Sequence, residues 1–128
     1  MSRRGRNKSQ TRQTTTLEHL SELVLAFREE RDWKQFHNPK DQALSLVLEA
    51  AELLELTQWR NGRELDEFLA HSKSRVGEEL ADVLGWVLLM ASDLEIDLVE
   101  AFERKMELNR RKYPIEKAKG SARKYTEL

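Results

Sequence analysis

Two pairs of acidic residues with the same spacing are the part of this sequence best suited to do chemistry. Glu49 and Glu52 stand in "LEAAELLELTQW", and Glu79 and Asp82 stand in "GEELADVLGWVLLMAS". Residues three apart lie on the same face of an α-helix, so each pair would present two carboxylates together. If the two helices pack side by side, four carboxylates face one another.

The neighbours of the second pair predict that it lies inside the protein. No charged residue occurs from Val83 to Ser92. At about 100° per residue, Glu79 shares its face with Trp86, and Asp82 lies beside Leu89. A helix that is apolar all round is normally buried. The first pair has polar neighbours on its face, so by itself it is better explained by a solvated surface; only together with the second pair is burial favoured.

Facing carboxylates in a protein interior need a compensating charge. Burying an ion costs several kcal/mol, and like charges about 4 Å apart repel by roughly 4 kcal/mol at an effective dielectric of about 20. The acids must therefore be protonated, pair with Arg or Lys, or hold a cation. Arg60 and Arg75 lie only at the predicted helix ends. Hard oxygen ligands without His or Cys favour Mg²⁺, with Mn²⁺ as the other candidate.

Helices with recognisable ends would carry these residues. Four main helices are predicted over residues 17–33, 39–59, 74–94 and 98–112, with a short helix over 64–70. Thr15, Asn38 and Asp97 are the predicted N-terminal caps. The second helix is predicted to stop at "RNG", with Asn61 or Gly62 in the left-handed conformation.

Length and composition favour a single all-α domain. The 128 residues include only two prolines and five glycines, so long helices are favoured over many short strands. We expect a four-helix-bundle-like domain over residues 15–114. Five basic residues fall within the first twelve positions, and we predict a disordered basic arm over 1–14. An irregular, flexible tail is predicted over 115–128.

Several classes of protein are disfavoured by the sequence. The absence of cysteine excludes disulfides and favours a reducing, cytoplasmic location. No apolar run reaches the length of about 20 residues that spans a bilayer, so no membrane partner is expected. The basic N-terminus lacks the apolar segment of a secretory signal. Outside the basic arm the chain is acidic, which argues against a nucleic-acid partner.

The acidic pairs and their flanking motifs resemble those of the MazG-like all-α nucleotide pyrophosphohydrolases. "LEAAELLE" and "EELADVL" match the E-x-x-E…E-x-x-D signature of that family. "WKQFH", "QW", "KMELNRRKYP" and "KGSARKYTEL" further resemble its dCTP pyrophosphatase branch. The resemblance covers nearly the whole chain from residue 17.

The resemblance implies an enzyme that converts a nucleoside triphosphate to the monophosphate and pyrophosphate. It implies a dimer or tetramer, and Mg²⁺ held by Glu49, Glu52, Glu79 and Asp82. Either Glu49 or Glu52 would accept the proton of the attacking water. The family's fuller motif has one more Glu before the first pair, where this sequence has Leu48, so the number of metal ions stays open.

Candidate substrate-binding residues come from the aromatic side chains and the last main helix. The resemblance favours Trp33 and Trp59 as walls of a base pocket, with His37 nearby. Trp86 is a further aromatic candidate because it shares a face with Glu79. Spacing alone places Lys105, Asn109 and Lys112 on one face of the last main helix. Together with Tyr113, which follows that helix, they could hold the outer phosphates of the substrate. A solvated helix face is the alternative.

Two other functions compete with the enzyme. In a non-catalytic helical interaction module, the acids would meet Arg or Lys of another protomer. In a nucleic-acid-binding protein, the basic arm would carry salt-sensitive binding.

Overall fold

The computed structural model describes residues 16–128, and throughout this range the secondary structure is helical, without a strand. It contains six α-helices, which we number in chain order: α1 (Leu17–Glu30), α2 (Pro39–Thr57), α3 (Gly62–His71), α4 (Lys73–Asp93), α5 (Leu98–Lys112) and α6 (Ile115–Ala118). Two 3-10 turns lie at Lys34–Phe36 and Tyr125–Glu127. The all-α prediction is confirmed. The predicted basic arm, residues 1–14, falls outside the described residues.

Side-chain caps explain where three of the helices begin. The Asn38 side chain accepts a hydrogen bond from the Asp41 backbone N–H at 3.0 Å, and Pro39 takes the first helical position. Asp97 caps α5 in the same way, through the Glu100 N–H at 3.1 Å. At α1 the cap is Thr16, which accepts from the His19 N–H at 3.2 Å. The predicted cap Thr15 was therefore one residue too early, and it lies outside the described residues.

Two helices end earlier than predicted, and each end is followed within two residues by a bulky or charged residue in the left-handed conformation. α1 ends at Glu30, and Asp32 follows with φ 54°. α2 ends at Thr57, and Trp59 follows with φ 67°. Gly62 has φ 54° as predicted, but it opens α3 instead of ending α2. A tryptophan at positive φ is unusual, since its Cβ crowds the backbone there.

The chain divides into two compact units, of which the first ends at Leu94. In this unit α2 packs along α4, α1 packs on another side of α4, and α3 touches α4. The buried apolar residues lie in the second half of α4, at Leu88, Leu89 and Ala91. α4 is therefore the central helix of this unit.

The first half of α4 is not enclosed as predicted. Leu80 and Leu84 are exposed, and so is the side chain of Asp82. The expectation that α4 is buried all round is wrong for the single chain, because its neighbours in this unit leave one side uncovered. α4 thus keeps an open side at the level of its acidic residues.

The second unit, Glu95–Leu128, holds α5, α6 and the last 3-10 turn. Tyr113 packs edge-on against Tyr125, with ring centroids 6.0 Å apart, and the Lys112 ammonium lies 5.0 Å from the Tyr125 ring. The tail is less irregular than predicted, since it contains α6 and this turn. No helix between residues 16 and 128 is long and apolar enough to cross a membrane.

Candidate metal centre and adjoining cavities

The four predicted acids come together between α2 and α4. Glu49 and Glu52 project from α2, Glu79 and Asp82 project from α4, and one carboxylate oxygen from each lies within 4.8 Å of the others. The spacing of three residues puts each pair on one helix face, and the packing of α2 along α4 brings those faces together. We call these four residues the acidic cluster.

The acidic cluster is partly buried and lacks compensating bases. Glu49 Oε2 and Glu79 Oε2 are buried without a hydrogen-bond partner, whereas Glu52 and Asp82 are exposed. Among residues 16–128, no Lys or Arg forms a salt bridge with any of the four. A buried polar atom without a partner normally signals a missing ligand, water or ion.

Burial and mutual repulsion raise the proton affinity of the two inner acids. Burial raises the pKa of Glu49, and the charges of Glu52 and Asp82 raise it further. Burial also raises the pKa of Glu79, helped by the adjacent Glu52 carboxyl. Four converging hard oxygen donors without His, Cys or a bound base fit a divalent cation such as Mg²⁺. The residues present therefore suit the metal that the sequence predicts.

An aromatic cavity of about 330 Å³ adjoins the acidic cluster at Asp82. Its walls come from α1, from the two residues that flank the following 3-10 turn and from α4, and include Phe27, Arg28, Trp33, His37, Asp82 and Trp86. His37 meets Trp86 edge-on with ring centroids 5.0 Å apart, and Phe27 meets Trp33 in the same way at 5.7 Å. This cavity suits a flat, mostly apolar group held next to a metal centre.

A second, polar cavity of about 400 Å³ lies on the other side of the acidic cluster. Glu52 and Glu79 line it together with Arg60, Arg75 and Phe68. The Arg60 guanidinium stacks 3.8 Å from the Phe68 ring centroid. Two positive charges thus stand near the acids without pairing with them.

A buried ion pair behind the aromatic cavity was missed in the sequence. Both Arg28 guanidinium Nη atoms donate to the Asp93 carboxylate, each at 2.7 Å. Gln42 Nε2 also donates to Asp93, at 2.7 Å. One signal was available: Arg28 follows Val24 by four residues, so it is a charge on the otherwise apolar stripe of α1.

The predicted substrate-binding residues are only partly brought together. Trp33, His37 and Trp86 meet in the aromatic cavity. Trp59 does not, since its side chain is 87% exposed after the end of α2. The remaining four all belong to the second unit: Lys105, Asn109, Lys112 and Tyr113. The first three lie on α5, and the backbone N–H of Tyr113 donates to the carbonyl of Asn109 at the end of that helix.

Comparisons with known proteins identify the family of this chain. A model described as the MazG-like family matches residues 44–128, a range that contains the whole acidic cluster. The sequence is 43% identical over 115 residues to dCTP pyrophosphatase 1 of Rattus norvegicus and of Homo sapiens, covering 88% of this chain and 68% of each relative. The fold is similar to the crystal structure of a pyrophosphatase from Archaeoglobus fulgidus, with a TM-score of 0.72 and 43% identity over 77% of this chain and 92% of that one.

Proposed function

Because the chain belongs to the MazG-like family, we propose that this nucleoside triphosphate pyrophosphohydrolase acts with Mg²⁺ on dCTP or a related pyrimidine nucleotide. The products would be the monophosphate and pyrophosphate. For the cellular role, the resemblance implies housecleaning of the nucleotide pool. The observation that carries the proposal is the convergence of four unpaired carboxylates next to an aromatic cavity.

The acidic cluster would hold the metal. Glu49, Glu52, Glu79 and Asp82 would supply the oxygen ligands, and the two buried orphan oxygens would gain partners. A bound Mg²⁺ supplies charge neutralisation for the triphosphate and a more acidic water. Mn²⁺ has the same ligand preference and would be accepted by the same acids.

One acid of α2 would act as the general base. Glu49 and Glu52 lie in the acidic cluster, and either could take the proton from a water that attacks the α-phosphorus. Glu49 is half-buried and Glu52 exposed, so Glu52 is the easier of the two to reach from solvent. Attack at this phosphorus is what separates the monophosphate from pyrophosphate.

The aromatic cavity would hold the base. Trp33 and Trp86 provide flat apolar surface, and His37 provides a hydrogen-bonding edge. Asp82 belongs to both the cavity and the acidic cluster, so a base in the cavity would leave its phosphates beside the metal ligands. The fully exposed position of Trp59 suits a contact that forms only with substrate or with another protomer.

Two sets of basic residues could hold the outer phosphates. One set is Lys105, Asn109, Lys112 and Tyr113, which lie in the "KMELNRRKYP" segment that carries the resemblance. The polar cavity offers Arg60 and Arg75 beside Glu79. We favour the first set, because its segment is part of the resemblance.

An apolar stripe on α2 supports association with further copies of the chain. Its members recur at helical spacing and are all exposed: Leu44, Val47, Leu48 and Leu54. A contiguous exposed apolar surface typically marks a protein interface. A dimer or tetramer would cover this stripe.

A panel of nucleotides tests the proposed function directly. Purified protein with Mg²⁺ would receive dCTP, 5-methyl-dCTP, dUTP, dTTP, dATP, dGTP and CTP, and monophosphate and pyrophosphate would be measured. We expect the cytosine deoxynucleotides to be turned over fastest, in equal yields of the two products. Release of orthophosphate, or absence of turnover for the whole panel, would contradict the proposal.

A further inference from the structure

Arg28 is the one charged residue between residues 16 and 128 that is buried, with 4% of its surface exposed. Its guanidinium makes two hydrogen bonds of 2.7 Å to Asp93, and Gln42, 1% exposed, donates a third to the same carboxylate. Arg28, Gln42 and Asp93 come from α1, α2 and α4 respectively. The position of the guanidinium is therefore fixed by three helices at once.

The same guanidinium also reaches a histidine of the aromatic cavity. Arg28 Nη1 lies 3.4 Å from His37 Nδ1. A guanidinium can only donate hydrogen bonds, so a hydrogen bond between these two atoms requires Nδ1 to accept, and the proton of the neutral ring is then on Nε2. Burial lowers the pKa of His37, the charge of Arg28 lowers it further, and Asp93 acts in the opposite sense. The neutral ring is therefore the favoured form.

The ring of His37 is held on a second side by Trp86, whose centroid lies 5.0 Å away. Arg28 and His37 both line the cavity. With Nδ1 engaged by Arg28, the polar hydrogen left to His37 is the one on Nε2. Arg28 thus decides whether the cavity meets its occupant with a hydrogen-bond donor or with an acceptor.

We propose that Arg28 is a positioning residue for base recognition: together with Asp93 and Gln42 it holds His37 as the Nε2–H tautomer, which donates a hydrogen bond to the nucleobase. The inference rests on the proposed function, from which the identity of the occupant as a base is taken. The matching chemical class is a base with a carbonyl oxygen or an unprotonated ring nitrogen at that edge. Cytosine offers both, at O2 and N3.

A purely structural role for the ion pair is the alternative. Apolar residues of similar volume often replace a buried ion pair at no cost in stability, so stability alone does not require Arg28 and Asp93. This property also makes a discriminating variant available. Arg28→Met with Asp93→Leu removes both charges together and leaves no unpaired ion in the interior.

Nitrogen NMR shifts of the histidine rings, recorded without nucleotide or metal at pH 8, give the first readout. The His37 signals would be assigned with His37→Gln. In the wild-type protein we expect an unprotonated Nδ1 and a protonated Nε2. In the double variant we expect a mixture of tautomers, and a melting temperature that falls only by the few degrees expected because the buried Gln42 amide loses its acceptor. A wild-type His37 protonated on Nδ1, or a double variant with an unchanged tautomer, would overturn the proposal.

Binding of the product dCMP gives the second readout, because it requires neither metal nor turnover. We expect saturating dCMP to shift the Nε2 resonance of His37, and the double variant to bind it about tenfold more weakly. For dCTP we expect KM to rise by a similar factor while kcat stays within about twofold. Arg110→Met, which removes an exposed pair with Glu107, is the control and should change neither value.

The two readouts separate failure of the inference from failure of the proposed function. A protein that hydrolyses dCTP but leaves the Nε2 resonance unmoved by dCMP would refute the role of Arg28 alone. A protein that fixes the tautomer and binds dCMP through Nε2, but hydrolyses no triphosphate, would refute the proposed function and leave the inference standing.

Discussion

Glu49 on α2 and Glu79 on α4 each bury one carboxylate oxygen, Oε2, that has no hydrogen-bond partner. Both belong to a group of four acids whose ligand oxygens lie within 4.8 Å of one another. Leaving such atoms unpaired costs about 1–3 kcal/mol each for a polar group and more for a charged one. The folded chain therefore carries a local instability that a bound cation would relieve.

Magnesium is expected to stabilise the folded protein. A ligand that binds only the folded state at one hundred times its dissociation constant adds about 2.7 kcal/mol. Thermal melts with EDTA and with a series of MgCl₂ concentrations would measure the gain. The gain should disappear in Asp82→Asn, which removes one ligand. Equal melting temperatures in EDTA and in saturating Mg²⁺ would show that the acids do not hold the metal.

Glu49→Gln is expected to raise the melting temperature of the metal-free protein by a few degrees at pH 7.5. The folded-state pKa of Glu49 is raised, first by burial and then by Glu52 and Asp82, so its ionised form opposes folding. This penalty is absent below the ordinary value of 4.5, grows as the pH rises through the raised pKa, and is complete above it. The difference between variant and wild type should therefore vanish near pH 4.

The matched control for this pH series is Glu55→Gln, an exposed change on the same helix. It alters helix propensity in the same way without touching a buried oxygen. A Glu55→Gln variant that gained as much stability as Glu49→Gln, with the same pH dependence, would remove burial as the cause.

Glu52→Gln and Asp82→Asn are each expected to reduce pyrophosphate release by at least about 100-fold while the circular dichroism spectrum stays unchanged. Both changes replace an anionic metal ligand with a neutral amide of the same shape, so the fold has no reason to change. Glu78→Gln, which neighbours Glu79 but lies outside the acidic cluster, should retain activity. Full turnover in both active-site variants would remove the cluster from the mechanism.

Local signals made much of the fold predictable. The caps Asn38 and Asp97 were read correctly because a cap depends on residues within one turn. The ends of α1 and α2 were not, because Asp32 and Trp59 adopt left-handed backbone angles. Neither is a glycine, so the sequence carries no mark of these turns. The exposure of α4 was also missed, since helical periodicity shows which residues are apolar but not which sides are covered.

In the candidate site, too, the residues placed by local spacing were predictable, whereas those brought together by tertiary packing were not. The acidic cluster was predictable because a spacing of three residues fixes each pair on one face. The pair of Arg28 and Asp93 joins residues 65 positions apart, and only tertiary packing brings them together. The aromatic cavity was partly predictable, since Trp33, His37 and Trp86 meet there while Trp59 does not.

Lys105→Gln and Arg75→Gln should separate the two candidate sites for the outer phosphates. If α5 holds them, Lys105→Gln raises KM for dCTP at least about tenfold, the effect expected from losing a charged hydrogen bond. Arg75→Gln should change KM less than about threefold, because Arg75 would then not contact the phosphates. Steady-state kinetics at saturating Mg²⁺ would measure both. The reverse order would assign the phosphates to the polar cavity.

Val47→Glu and Leu48→Glu are expected to dissociate the assembly into monomers. Both side chains lie on the apolar stripe of α2 and are 60% and 56% exposed in the single chain, so burial against another copy would be lost and a charge would be placed in the interface. Sedimentation velocity would measure the mass. Val47→Leu, which keeps an apolar side chain at the same position, should retain the wild-type assembly. If the wild-type protein itself sediments as a monomer, no second copy covers this stripe and the proposed interface is refuted.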